Sequence, residues 1–158
     1  SRKVLGFEHF QGLADRTDKD RLDARLGNTA EGWNPSQFRD TLFALVDAFN
    51  ADSFVPQRPR VGLIDGDVRQ TAHAYVAEHP GLRIALLHLD MDLYEPTLEA
   101  LKAFWPRLLT GGVVLLDEYA IRESPGASEA LEEFFDGRPP RIEKFGWASA
   151  PGGFFVKE

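Results

Sequence analysis

The chain has 158 residues, 43% of them apolar and 27% charged, which is the composition of one soluble globular domain with room for a real core. A net charge of −7 with no basic patch argues against nucleic acid, anionic membranes and other polyanions as partners. The absence of cysteine excludes disulfides, thiolate metal sites and cysteine nucleophiles; no apolar run approaches the roughly 20 residues that span a bilayer and no signal peptide opens the chain, so a cytoplasmic location is the default expectation.

Residues 3–7, Lys-Val-Leu-Gly-Phe, read as a strand that closes on Glu8. An acid just past a strand can hold ribose hydroxyls in nucleotide-type sites, although on this residue alone a solvated strand-end glutamate is the favoured reading. Residues 14–34 are polar, with Asp15, Asp18, Asp20 and Asp23 among arginines and with turn signals at Gly27-Asn28 and Gly32. They read as a long surface loop or lid, in which Trp33 either folds over a ligand or anchors the loop. Asn34-Pro35 suits an N-cap followed by a helix-opening proline, and the helix is expected over 36–50. Phe38, Leu42, Leu45, Val46 and Phe49 fall at helical spacing and are expected to face the core.

A proline-rich connection, 51–59, leads to a strand over 60–64 that closes on Asp65-Gly66-Asp67. A short helix over 69–78 turns Ala72, Tyr75 and Val76 inward and leaves His73 and His79 to water. The next strand, 84–89, is an almost unbroken apolar run, the pattern of a strand buried on both faces of a parallel sheet. It stops at two carboxylates, Asp90 and Asp92. Pro96 is expected to open a helix over 97–109 that ends at Gly111-Gly112. A second buried run, 113–116, also ends in acids, Asp117-Glu118. Two successive strands therefore deliver carboxylates to one sheet edge, where open α/β sheets bind ligands. Oxygen donors converging there suit a hard divalent cation such as Mg²⁺, and acids merely solvated in turns are the simpler alternative.

A helix over 126–136 buries Leu131, Phe134 and Phe135. Strands over 141–145 and 153–157 then lie too close in sequence for a crossover and are expected to pair antiparallel. The fold class is α/β: a Rossmann-like sheet, mostly parallel, with an antiparallel C-terminal hairpin, in one domain spanning 1–158.

These residues resemble a known family. His-Leu-Asp-Met-Asp-Leu-Tyr-Glu-Pro-Thr (88–97) with Gly-Gly-Val-Val-Leu-Leu-Asp-Glu-Tyr (111–119) is similar to the macrocin O-methyltransferase family, S-adenosylmethionine- and Mg²⁺-dependent enzymes that methylate sugar hydroxyls in antibiotic biosynthesis. Gly-Phe-Glu-His-Phe-Gln-Gly-Leu (6–13) resembles its GFDTFEGL segment, with Glu8 at the acid, and Ile-Asp-Gly-Asp-Val (64–68) also fits. The resemblance implies a class I methyltransferase sheet. It implies Asp90, Asp117 and Glu118 as metal ligands and Asp92 as general base. It places Glu8 at the cofactor ribose, Asp67 and Val68 at the adenine, and leaves His88 structural. A small-molecule sugar or glycoside is the implied partner, and family members commonly assemble as homo-oligomers. Where the family usually has Asp-Asp-Tyr, this chain has Asp117-Glu118-Tyr119, whose second acid reaches one methylene further.

The family's first strand and glycine-rich cofactor loop have no counterpart in these 158 residues. The missing strand would lie between those at 3–7 and 84–89. The chain is therefore expected to be the C-terminal part of a longer enzyme. The alternatives are a catechol-type small-molecule O-methyltransferase and a non-catalytic truncated domain of the same fold. A phosphate-handling enzyme ranks last, because no phosphate loop is present.

Overall fold

The computed structural model describes residues 2–13, 15–20, 35–122, 124–148 and 150–158. Among them the elements run β1 (Val4–Glu8), α1 (Arg39–Ala51), β2 (Val61–Asp65), α2 (Val68–Glu78), β3 (Ile84–Leu89), α3 (Tyr94–Phe104), β4 (Leu108–Leu116), α4 (Gly126–Phe134) and β5 (Gly153–Val156). Short 3-10 turns lead into α1 (Pro35–Phe38) and follow α3 (Trp105–Arg107). Most of the expected lid at 14–34, with Asp23, Trp33 and the Asn34 cap, lies outside the described residues.

β1 pairs in parallel with β2, from Val4 opposite Val61 to Glu8 opposite Asp65. β3 pairs in parallel with β4, and β5 adds an antiparallel edge. This is the expected α/β order. No ladder among the described residues joins β1 to β3, so the sheet is open where the sequence left a strand slot. The two halves meet through side chains instead: Phe7 of β1 packs on Phe104 of α3, with ring centroids 5.2 Å apart. The core lies between the β3–β4–β5 sheet and helices α3 and α4. Leu87, Leu89, Val114, Leu116 and Phe155 of the sheet are buried against Leu101, Phe104 and Leu131.

Phe155 is 1% exposed and is boxed by Trp105 and Phe135 at 6.0 and 6.1 Å between centroids. Truncating it leaves a cavity at the centre of this cluster. Phe155→Ala is expected to cost about 3–5 kcal/mol, read as a lower urea midpoint at unchanged slope.

Several expectations need correction. The α1 stripe is not core: Phe38, Leu45 and Phe49 are each about 60% exposed, and α1 has no buried residue. Periodicity marks an apolar face, but most of this one is left uncovered. β3 is buried on one side only: Leu87 and Leu89 are covered while Leu86 and His88, on the other side, are exposed. α3 begins at Tyr94, two residues before Pro96, because a proline in the first turn gives up only an amide that has no helical partner. Gly111-Gly112 does not stop this helix, which ends at Phe104; the glycines lie inside β4. There the register jumps from Ile84 opposite Leu108 to Leu86 opposite Val113. Gly111 has φ +78°, and a Cβ at Gly112 would sit 2.7 Å from the Leu109 carbonyl oxygen, so the bulge requires both glycines. Of the strand expected over 141–145, only a bridge between Glu143 and Phe154 forms.

Candidate active site

The C-terminal ends of β1, β2 and β3 open on one cleft of about 230 Å³. Glu8, Asp67, Val68, Asp90 and Asp92 all line it, so residues far apart in sequence share a wall. At its β1 end, Glu8 Oε1 accepts the Phe10 amide at 2.8 Å. The Glu8 carbonyl accepts from Gly66 at 3.0 Å, which ties the two strand ends together. Asp67 caps α2 by accepting the Arg69 amide at 2.9 Å, and the Arg69 guanidinium grips both its oxygens. Those bonds hold the Asp67 carboxyl below its usual range.

The acids after β3 and β4 meet as the parallel ladder requires. The Asp117 amide donates to the Leu89 carbonyl at 3.0 Å, continuing the pairing one step beyond the strands. Asp90 then belongs to two groups whose ligand atoms lie within 4.8 Å of one another: one with His88 and Asp117, the other with Asp92 and Glu118. Burial and then the Asp117 carboxylate push the Asp90 carboxyl up. Glu118 is buried, and its Oε2 has no hydrogen-bond partner. Desolvation, then the Asp92 and Asp117 carboxylates, drive its carboxyl well above the usual range. A partnerless buried carboxyl oxygen beside three further acids is a set of oxygen donors that a hard divalent ion would fit.

A sequence profile of the macrocin-O-methyltransferase (TylF) family matches residues 2–139. The chain belongs to that family. It is 31% identical over 140 residues to mycinamicin III 3''-O-methyltransferase of Micromonospora griseorubida, an alignment covering 85% of this chain and 50% of the relative. Over a shorter stretch of 65 residues it is 45% identical to 8-demethyl-8-(2,3-dimethoxy-alpha-L-rhamnosyl)-tetracenomycin-C 4'-O-methyltransferase of Streptomyces olivaceus, covering 39% of this chain and 25% of that one. The crystal structure of CalS11, a calicheamicin methyltransferase, superposes with a TM-score of 0.83 at 32% identity, over 98% of this chain and 60% of that one. The chain thus spans from a quarter to three fifths of the length of these relatives. The methyltransferase fold that the family resemblance implied is confirmed by this likeness. No helix among the described residues is long and apolar enough to cross a membrane.

Within this macrocin O-methyltransferase fold the structure brings two further residues close to the candidate site. His88, expected to be structural, is exposed at the strand end with Nε2 3.5 Å from Asp117 Oδ1. The period of two along a strand puts His88 and Asp90 on one side, a signal the sequence carried. Asp20 is buried against the start of α3, donated to by the Tyr94 amide at 2.6 Å. No spacing rule links residues 74 positions apart, so this contact had no sequence signal.

The crowded acids make stability depend on pH. Glu118 and Asp90 keep protons in the folded chain at pH values where the unfolded chain has lost them. Their contribution is full below the ordinary carboxylate range and is lost as pH rises toward the raised values. In chelator-treated protein the melting temperature is therefore expected to fall between about pH 5 and about pH 8, with a shallower fall in Glu118→Gln. Mg²⁺ should raise it more at the upper end, where protons are displaced from the acids more easily. A melting temperature that ignores both pH and Glu118→Gln would contradict the assignment.

Proposed function

We propose that the chain carries the metal and acceptor side of an S-adenosylmethionine- and Mg²⁺-dependent O-methyltransferase acting on a sugar hydroxyl of a natural product or nucleotide sugar. One observation carries this reading: Asp90, Asp92 and Glu118 bring oxygens within 4.8 Å of one another, and the Glu118 Oε2 is buried without a partner. The relatives named as O-methyltransferases of mycinamicin and of a rhamnosyl-tetracenomycin support the sugar acceptor. The cysteine-free composition sits with a cytoplasmic enzyme. The exposed apolar face of α1 sits with homo-oligomeric assembly.

A sugar hydroxyl is a poor nucleophile because its pKa lies far above neutral. Bound S-adenosylmethionine supplies the methyl on a positive sulfur, and bound Mg²⁺ supplies Lewis-acid stabilisation of a developing alkoxide. Asp90, Asp117 and Glu118 are the residues to hold the cation. Asp92 takes the acceptor hydroxyl proton on its carboxylate. Glu8 accepts hydrogen bonds from the cofactor ribose, and Asp67 with Val68 borders the adenine. With the Asp67 carboxylate gripped by Arg69, its adenine-side role falls to backbone and shape. Methyl transfer needs in-line approach, so a large part of the rate enhancement comes from positioning.

The first test is calorimetric titration of S-adenosylhomocysteine with Mg²⁺ present, followed by a mass-spectrometric screen of nucleotide-linked deoxysugars, glycosides and catechols. Cofactor binding with a methylated sugar product is expected. Methylation of catechols alone would replace the sugar reading. A folded protein that binds no S-adenosylhomocysteine and methylates nothing would make the domain non-catalytic.

A further inference from the structure

Asp92 sits in an uncommon backbone conformation. Its φ is +60°, and the Leu93 amide donates to the Met91 carbonyl at 2.6 Å, closing a three-residue turn with Asp92 at its centre. This hand of the turn is the rarer and strained one. Such a turn persists only where its surroundings over-determine it. Two side chains remote in sequence do so. On one side, the Ser124 hydroxyl donates to the Asp92 carbonyl at 3.1 Å. On the other, Asp20 Oδ1 accepts the Tyr94 amide at 2.6 Å.

Asp20 is itself built in. Its second oxygen accepts the Thr17 amide at 2.8 Å and the Thr17 hydroxyl at 2.9 Å. It is 6% exposed, and α4 begins directly against it: a Cβ at Gly126 would fall 2.2 Å from Asp20 Oδ1 and 2.7 Å from the Tyr94 nitrogen. Only glycine lets the start of α4 come this close. A buried carboxylate at the N-terminal end of α3 is electrostatically favoured, so the peg is firm. Below the turn, the Thr97 hydroxyl bonds the Leu93 carbonyl at 2.7 Å. Three side chains thus hold the turn, while the Asp92 carboxylate itself lies within 4.8 Å of those of Asp90 and Glu118.

We infer that Asp20 and Ser124 are positioning residues for Asp92, two pegs that hold a strained turn so that its carboxylate stays beside Asp90 and Glu118. The inference rests on the proposed role of Asp92 as general base. Neither peg lines the cleft. Their loss therefore acts on the placement of Asp92 and leaves the cofactor and acceptor contacts in place.

The test is kinetic and structural. Ser124→Ala, Asp20→Ala and the double variant are expected to lower kcat per folded molecule by ~10- to 100-fold, the scale of a small misplacement. KM for S-adenosylmethionine and acceptor should stay within about twofold, since ground-state binding is untouched. Ser124→Thr keeps the hydroxyl and should restore most of the rate. Ser124→Ala guards against misfolding of the Asp20 variant, because Ser124 lies in a half-buried loop. Unchanged kcat in both alanine variants, with Asp92→Asn inactive, would overturn the clamp and leave the base assignment standing. If the wild-type protein transfers no methyl group, it is the methyltransferase reading that fails. The clamp is then decided by the intraresidue amide–Hα NOE of Asp92, which is strong only at positive φ. Its weakening in the double variant upholds the clamp, and an unchanged NOE overturns it.

Discussion

Replacing Asp90 with asparagine is expected to lower cation-dependent methyl transfer by ~10³-fold or more, since Lewis-acid stabilisation is worth several kcal/mol at the transition state. Asp90 is the one acid shared by both groups, that with His88 and Asp117 and that with Asp92 and Glu118. Losing one of its charged oxygens weakens whichever group takes the ion. The substitution nearly preserves shape and relieves repulsion from Asp117, so the fold should be at least as stable. The measurement is initial rate against Mg²⁺ concentration, alongside calorimetric titration of S-adenosylhomocysteine. Turnover should collapse while cofactor affinity changes little. Full activity in Asp90→Asn would remove the metal assignment altogether.

Asp92→Asn is expected to lower kcat by ~10²- to 10⁴-fold, the range for loss of a general base. Asparagine tolerates positive φ about as well as aspartate, so the strained turn should survive. The informative quantity is the Mg²⁺ concentration needed for half-maximal rate. A general base leaves it unchanged, whereas a ligand raises it. Asp92 stands within ligand distance of Asp90 and Glu118, so the two roles make opposite predictions at one residue. Rescue of the variant by raising the pH would mark the base, because an acceptor already ionised needs no proton removed.

Much of the site was legible before folding, for a physical reason. A strand buried in a parallel sheet must end where its apolar run ends, and the acids beyond it must lie at the sheet edge. Asp90 with Asp92, and Asp117 with Glu118, were placed by that rule, and the Asp117–Leu89 hydrogen bond shows the register that joins them. Glu8 and Asp67 were placed likewise, at the ends of β1 and β2. The helices were also readable, because α2, α3 and α4 show apolar periodicity broken by Pro and Gly. Their ends shifted by a few residues where a first-turn proline or a glycine bulge admitted more than one reading.

The amino-acid sequence by itself determined the order of strands and helices, the sheet class and the edge at which the carboxylates gather, since each follows from local pattern and chain direction. Tertiary structure alone decided which apolar faces are covered. The α1 stripe and the outer face of β3 read as core, yet Leu45 and Leu86 are about 60% exposed, because burial depends on what packs above a face and not on the face itself. It decided too that Glu118 is enclosed with an oxygen left over, that Asp90 serves two groups, and that Asp20 reaches across the fold to peg the turn at Asp92. Each of these joins residues with no fixed spacing, and their free energy depends on desolvation and on proximity that exist only once the chain has closed on itself.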